Sequence, residues 1–175
     1  MNYINSGKRD ILIIPKFCNV DKIQKIRKKY DELYNIIMPH ITLAFPFENN
    51  ISNELLKKKL EDILKDIKPF SIKCKGISLK KDNRIGTYYI FLNIVEGKEI
   101  INEIYNSIYK NVLNDIDITK YDYEPHITLG TTDNPNEIIK LADDFESTVS
   151  SIVVERIGKN EESIIEFEIS LFERK

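Results

Sequence analysis

The chain carries two histidines, and each sits in the same five-residue word: Pro39-His40-Ile41-Thr42-Leu43 and Pro125-His126-Ile127-Thr128-Leu129. Imidazole is the side chain whose ordinary pKa, about 6.5, keeps acid and base forms both populated near neutral pH. A pair of imidazoles can therefore divide a proton-transfer reaction. One takes a proton from an attacking water or hydroxyl, the other gives one to a leaving oxygen, and each role typically contributes about 10² to 10⁴ in rate. A threonine hydroxyl beside each ring can donate to a non-bridging oxygen where negative charge builds up. Two His-x-Thr units facing one cleft would bring together an acid, a base and two anion ligands, a set suited to chemistry at phosphorus.

Extended backbone would position these groups. In a strand, residues i and i+2 share a face, so His40 projects with Thr42 and His126 with Thr128, while the Ile and Leu of each word point the other way and can anchor the strand in a core. The leading prolines have no N–H to give to a ladder and fit best at a strand start. A single histidine beside an apolar strand is more often a packing residue. Two copies of the word, 86 residues apart, argue otherwise. A duplicate kept for packing has reason to keep Ile and Leu and little reason to keep His and Thr on the opposite face.

The two words resemble the His-x-Thr/Ser-x signature of the 2H phosphoesterase superfamily, whose members are similar to bacterial 2′-5′ RNA ligases and cyclic nucleotide phosphodiesterases. Phe45-Pro46-Phe47 after the first word also looks like the continuation seen in bacterial members. The second word departs from this, running into Gly130-Thr131-Thr132. The resemblance implies a two-lobed α+β fold with a pseudo-twofold axis and a metal-independent histidine pair in a central cleft. It implies substrates that are 2′,3′-cyclic phosphates, 2′,5′-phosphodiesters or related RNA ends. Carried over by position, His40 and His126 become acid and base, and Thr42 and Thr128 the phosphate ligands.

The elements around the words can be read from periodicity. Arg9–Phe17 reads as a strand. Asp21–Tyr34 reads as a helix with Ile23, Ile26, Tyr30, Leu33 and Tyr34 along one side. The first word follows as a strand, and Ser52 can cap a helix through Ile67 with an apolar stripe from Leu55 to Ile67. Phe70–Leu79 and Thr87–Ile94 read as strands joined by a Lys80–Arg84 turn. A third helix is expected over Lys98–Leu113, then the second word as a strand, a fourth helix over Pro135–Phe145, and strands at Val149–Ile157 and Ser163–Phe172. Residues 9–80 and 86–157 thus repeat the order strand, helix, His strand, helix, strand. The expected fold is α+β, with two pseudo-symmetric lobes, each a mainly antiparallel sheet with helices, around a central cleft. A doubly wound nucleotide-binding fold is the rival, but no glycine-rich word follows the first strand, which runs into Pro15.

Composition bounds the rest. A chain of 175 residues can bury a substantial core, and no linker separates its halves, so one domain over residues 1–175 is expected. The polar N-terminus and the short Ile11–Ile14 run fit neither a signal peptide nor a membrane span, which points to a cytoplasmic protein. Cys18 and Cys74 lack metal-type spacing and read as free thiols. With two histidines and no Cys or carboxylate inside either word, neither a zinc site nor a cofactor is expected.

The balance of 26 basic against 28 acidic side chains argues against binding long duplex nucleic acid, which needs many phosphate neutralisations. A nucleotide or an RNA end remains compatible, and a monomer is expected. The basic run Lys73, Lys75, Lys80, Lys81 and Arg84 reads first as a solvated hairpin and second as phosphate guidance. Phe45, Phe47 and Tyr123 lie nearest the words among aromatics and could stack a base or belong to the core. Two functions compete: a metal-independent phosphodiesterase using His40 and His126, and a binding protein that holds a phosphorylated nucleotide or RNA end without turnover. Two titratable groups, which binding alone would not need, favour the enzyme.

Overall fold

The computed structural model describes residues 6–172. Among the described residues, eight strands and three helices follow the order β1 (Arg9–Ile13), α1 (Val20–Tyr30), β2 (Ile41–Phe47), α2 (Asn53–Leu64), β3 (Phe70–Lys81), β4 (Tyr88–Glu96), α3 (Lys98–Asn111), β5 (His126–Thr132), β6 (Phe145–Val149), β7 (Ser151–Ile157) and β8 (Ser163–Ser170). A short 3-10 turn at Ile118–Lys120 precedes β5. The strands form one antiparallel sheet in the order β6-β3-β4-β5-β2-β1-β7-β8. The sequence expectation of two separate sheets is replaced by this single run, whose middle seam is thin: β2 and β5 share one register pair, Ile41 with Ile127.

Away from the seam the order reads alike in both directions, β2-β1-β7-β8 on one side and β5-β4-β3-β6 on the other. The registers correspond as well. Leu12 of β1 lies opposite Thr42, as Phe91 of β4 lies opposite Thr128. The third strands are exchanged: β3, early in the chain, borders β4, and β7, late in the chain, borders β1.

One hydrophobic core unites Ile11 and Ile13 of β1 and the isoleucines and leucines of β2, β4 and β5 with Ile23 of α1, Leu56, Leu60 and Leu64 of α2, and Ile101, Ile104 and Ile108 of α3. Ser52 caps α2 as expected, its Oγ accepting from the Leu55 N–H at 3.3 Å. Close approach of α1 to β5 depends on Gly130. Its φ is +131°, and a Cβ there would lie 2.1 Å from the Tyr30 carbonyl oxygen.

Several expected boundaries move for local reasons. The first strand stops at Ile13, before Pro15, and the Lys16 N–H is taken by the Ser147 hydroxyl at 3.0 Å. Helix α1 ends at Tyr30 instead of Tyr34, because extended Asp31 accepts from Arg27 at 2.8 Å and from the Leu33 N–H at 2.9 Å. Helix α2 stops at Leu64, short of Ile67, and α3 at Asn111, short of Leu113.

The fourth helix does not form. Asn134 turns the chain by accepting from the Asn136 N–H, the Glu137 carboxylate takes the Tyr30 hydroxyl, and Asp143 and Asp144 pair with Lys22, Lys73 and Lys75. Two aspartates at the end of the expected helix also oppose its dipole. Phe145, the expected last residue of that helix, instead opens β6, and the strand expected over Val149–Ile157 forms as β7 from Ser151, with Val149 ending β6.

Candidate functional site at the β2/β5 seam

Both words lie at the seam. The pairing of Ile41 with Ile127 makes the strands cross at the centre of each word. His40 and Thr42 flank Ile41, and His126 and Thr128 flank Ile127, so both His-x-Thr pairs lie beside the one backbone pairing of the two strands. Alternation does the rest. Ile41, Leu43, Ile127 and Leu129 are fully buried in the core, whereas His40, Thr42, His126 and Thr128 are partly exposed on the other face.

The two rings are held in the same way. The Nδ1 of His40 lies 2.8 Å from the Met38 carbonyl, and the Nδ1 of His126 lies 2.6 Å from the Glu124 carbonyl. A carbonyl only accepts, so Nδ1 carries the proton and the neutral ring keeps its lone pair on Nε2. The prolines explain the arrangement: a residue before proline is driven to extended backbone, which fixes the carbonyl of Met38 or Glu124 two residues before the ring. Burial pushes both histidines below their ordinary value of 6.5. Contact with the carbonyl opposes this at each ring. The charges of Lys80 and His40 add to the depression at His126, so the rings are near enough to sense one another.

Other side chains complete the surroundings. Phe91 stacks on His126 with ring centroids 3.6 Å apart and planes inclined by 23°. Nothing in the local sequence singled it out, since it comes from β4; the one available signal was its place in an alternating strand with Tyr89 and Asn93. Arg27 of α1, buried, bonds Asp31, Gln24 and the Leu33 carbonyl and so pins the segment leading to Met38 and His40. A cleft of ≈ 580 Å³ opens beside Thr128, lined by Tyr89, Thr131, the end of α1 from Lys28 and the segment Asp31–Tyr34 that follows it.

The aromatics expected near the words divide. Phe45 is exposed and its ring pairs with Tyr121 at 6.1 Å. Phe47 is buried in the core under the Arg9 guanidinium and presents no ring to a base. Tyr123 has one face covered by Tyr105 at 3.7 Å, and its hydroxyl donates to the Thr42 carbonyl at 2.8 Å, so it braces a word instead of standing open. In the basic run, Lys73 and Lys75 are tied to Asp144 and Arg84 to Asp82, while the charge of Lys80 reaches His126. Both cysteines are free.

The sequence model of the 2′-5′ RNA ligase superfamily matches residues 15–161, and the chain belongs to that superfamily. A Bacillus licheniformis protein named as a candidate phosphoesterase is 30% identical over 166 residues, covering 93% of this chain and 88% of its own. A Geobacillus relative named likewise is 29% identical over 133 residues, or 74% of this chain and 71% of its own. Among solved structures, Escherichia coli LigT complexed with NADP+ aligns with a TM-score of 0.63 at 14% identity, over 95% of this chain and 99% of that one. A Thermus thermophilus protein aligns with the same score, 0.63, at 16% identity, over 94% of this chain and 97% of its own. These two structures share the fold.

Proposed function

We propose that this chain is a metal-independent phosphodiesterase that opens 2′,3′-cyclic phosphates or cleaves 2′,5′ linkages in nucleotides or RNA ends, with His40 and His126 as acid and base and Thr42 and Thr128 as phosphate ligands. The observation that carries the reading is the crossing of the two words at Ile41 and Ile127, with both Nδ1 atoms engaged by carbonyls. That leaves two Nε2 atoms for the two proton transfers of one displacement. One ring accepts the proton of the attacking water as its oxygen bonds to phosphorus. The ester bond to a ribose oxygen breaks, and the other ring protonates that oxygen. The threonine hydroxyls donate to the non-bridging oxygens, which carry the negative charge of the transition state.

E. coli LigT, which shares the fold, has been solved in complexes with ATP and with 3′-AMP. The test is incubation of the protein, in EDTA, with 2′,3′-cyclic nucleotides, 2′,5′-oligonucleotides and cyclic-phosphate-ended RNA. Turnover of at least one is expected. Tight binding of these compounds with no turnover would turn the reading into that of a binding protein.

A further inference from the structure

Beside the words, the face of the sheet that carries them is polar on one flank of the seam and apolar on the other. Strand β4 sets Phe91 opposite Thr128 and, two residues on, Asn93 opposite His126. Paired residues of an antiparallel ladder share a face, so the partly exposed Asn93 side chain stands next to the His126 ring, on the side away from β2. On the far flank of β4, Ser78 of β3 lies opposite Phe91, and its hydroxyl donates to Asn93 Oδ1 at 2.7 Å. This bond orients the amide. With Oδ1 facing the serine, Nδ2 has two N–H groups to give, and it gives them to no partner among the described residues. A glycine borders this nitrogen: Gly76, at a φ of +77° where the β3–β4 register shifts, would place even a Cβ no nearer than 3.9 Å. The other flank offers no such group. Leu12 of β1 lies opposite Thr42, Val153 of β7 lies opposite Leu12, and the residue two past Leu12, matching Asn93, is Ile14.

Building on the phosphodiesterase reading, we infer that Asn93 is a substrate-binding residue whose amide donates to the ribose oxygen adjacent to the phosphate-bearing one, that Ser78 is its positioning residue, and that the ribose lies on the His126 side of the seam. Phosphorus belongs between the two words, which cross at Ile41 and Ile127. Asn93 lies one strand further out, and neighbouring strands are about 4.8 Å apart. A group bound there is a few bonds from phosphorus, which is where the vicinal ribose oxygen stands. The donor fits that acceptor. An uncharged amide with free N–H groups suits a neutral hydroxyl oxygen, whereas a second phosphate would call for a cation. In a 2′,5′-linked substrate the acceptor is the free 3′ hydroxyl, and after opening of a 2′,3′-cyclic phosphate it is the hydroxyl released.

The experiment is calorimetric titration of the full chain with 3′-AMP and with 2′-deoxyadenosine 3′-monophosphate, which differ in the vicinal hydroxyl alone. The parent should bind 3′-AMP about fivefold to tenfold more tightly, the worth of one hydrogen bond in a partly exposed site. Asn93→Leu should bring the two affinities together. Ser78→Ala should shrink the preference, and Ser78→Thr, which keeps the hydroxyl, should restore it. In ¹⁵N NMR of the parent, the Asn93 side-chain NH₂ signal should move more with 3′-AMP than with the deoxy compound. Equal affinities in the parent, or a preference that survives Asn93→Leu, overturns the inference. If Asn93→Leu does not fold, Ser78→Ala decides, because Ser78 is exposed, and an unchanged preference there overturns the inference. Binding is read without turnover, so the two failures separate: equal binding of both nucleotides defeats the role of Asn93 alone, whereas a parent that binds neither defeats the phosphodiesterase reading with it.

Discussion

At the residue scale, each part of the two words has a distinct expected effect. His40→Ala and His126→Ala should each lower turnover by about 10² or more, and the double variant should lose much less than the product, because acid and base serve one displacement. Thr42→Ala and Thr128→Ala each remove one hydrogen bond to developing charge and should cost about tenfold to a hundredfold, read as kcat/KM. Phe91 covers one face of the His126 ring at 3.6 Å, and burial is the main cause of that histidine's depression. Phe91→Ala should therefore let water in and raise the His126 NMR midpoint toward 6.5; an unmoved midpoint would show that the depression comes from charge instead. The words themselves were legible in sequence because i, i+2 alternation is a local property of strands. Phe91 was not, since it reaches His126 across a strand pairing that spans dozens of residues.

At the element scale, the strands and helices with long, regular apolar spacing were read correctly in kind, and their ends moved by a few residues. The failures have physical causes. The expected fourth helix has apolar spacing, but its Asp143 and Asp144 find lysines on α1 and β3, a contact no local pattern reveals. Its last residue, Phe145, opens β6 because it packs edge-on against Phe17 at 5.8 Å and pairs with Cys74 of β3. Nor does alternation tell which strands pair, so a single sheet closed at a one-pair seam could not be foreseen. The tightest joint between elements is Gly130 under the end of α1. Gly130→Ala puts a Cβ 2.1 Å from the Tyr30 carbonyl at a φ of +131°. It should cost about 2 kcal/mol or more, measurable as a drop in the urea midpoint. A variant as stable as the parent would mean that α1 does not sit this close to β5.

At the scale of the whole molecule, one sheet carries a core on one face and, on the other, a seam of titratable groups held partly out of water. Among the described residues no helix is long and apolar enough to cross a membrane. Burying titratable groups ties stability to pH. The folded-state pKa of Asp10 is raised above its ordinary 3.8, chiefly by burial, so the folded protein holds a proton that the unfolded chain releases, and this contribution is lost as pH rises above that value. Asp10→Asn, which has no proton to release, should gain stability relative to the parent as pH increases from acid to neutral. Urea unfolding of both proteins at several pH values reads this directly, and a constant difference would contradict the raised pKa. The central claim, that two histidines share the proton transfers of one phosphodiester displacement without metal, is tested most directly by kcat/KM against pH in EDTA for the parent, His40→Gln and His126→Gln. The parent should give a bell whose midpoints are drawn toward acid, since burial depresses both histidines, and each variant should retain a slow rate that has lost one limb. Full turnover in either variant, a bell unchanged by both substitutions, or activity abolished by EDTA would contradict it.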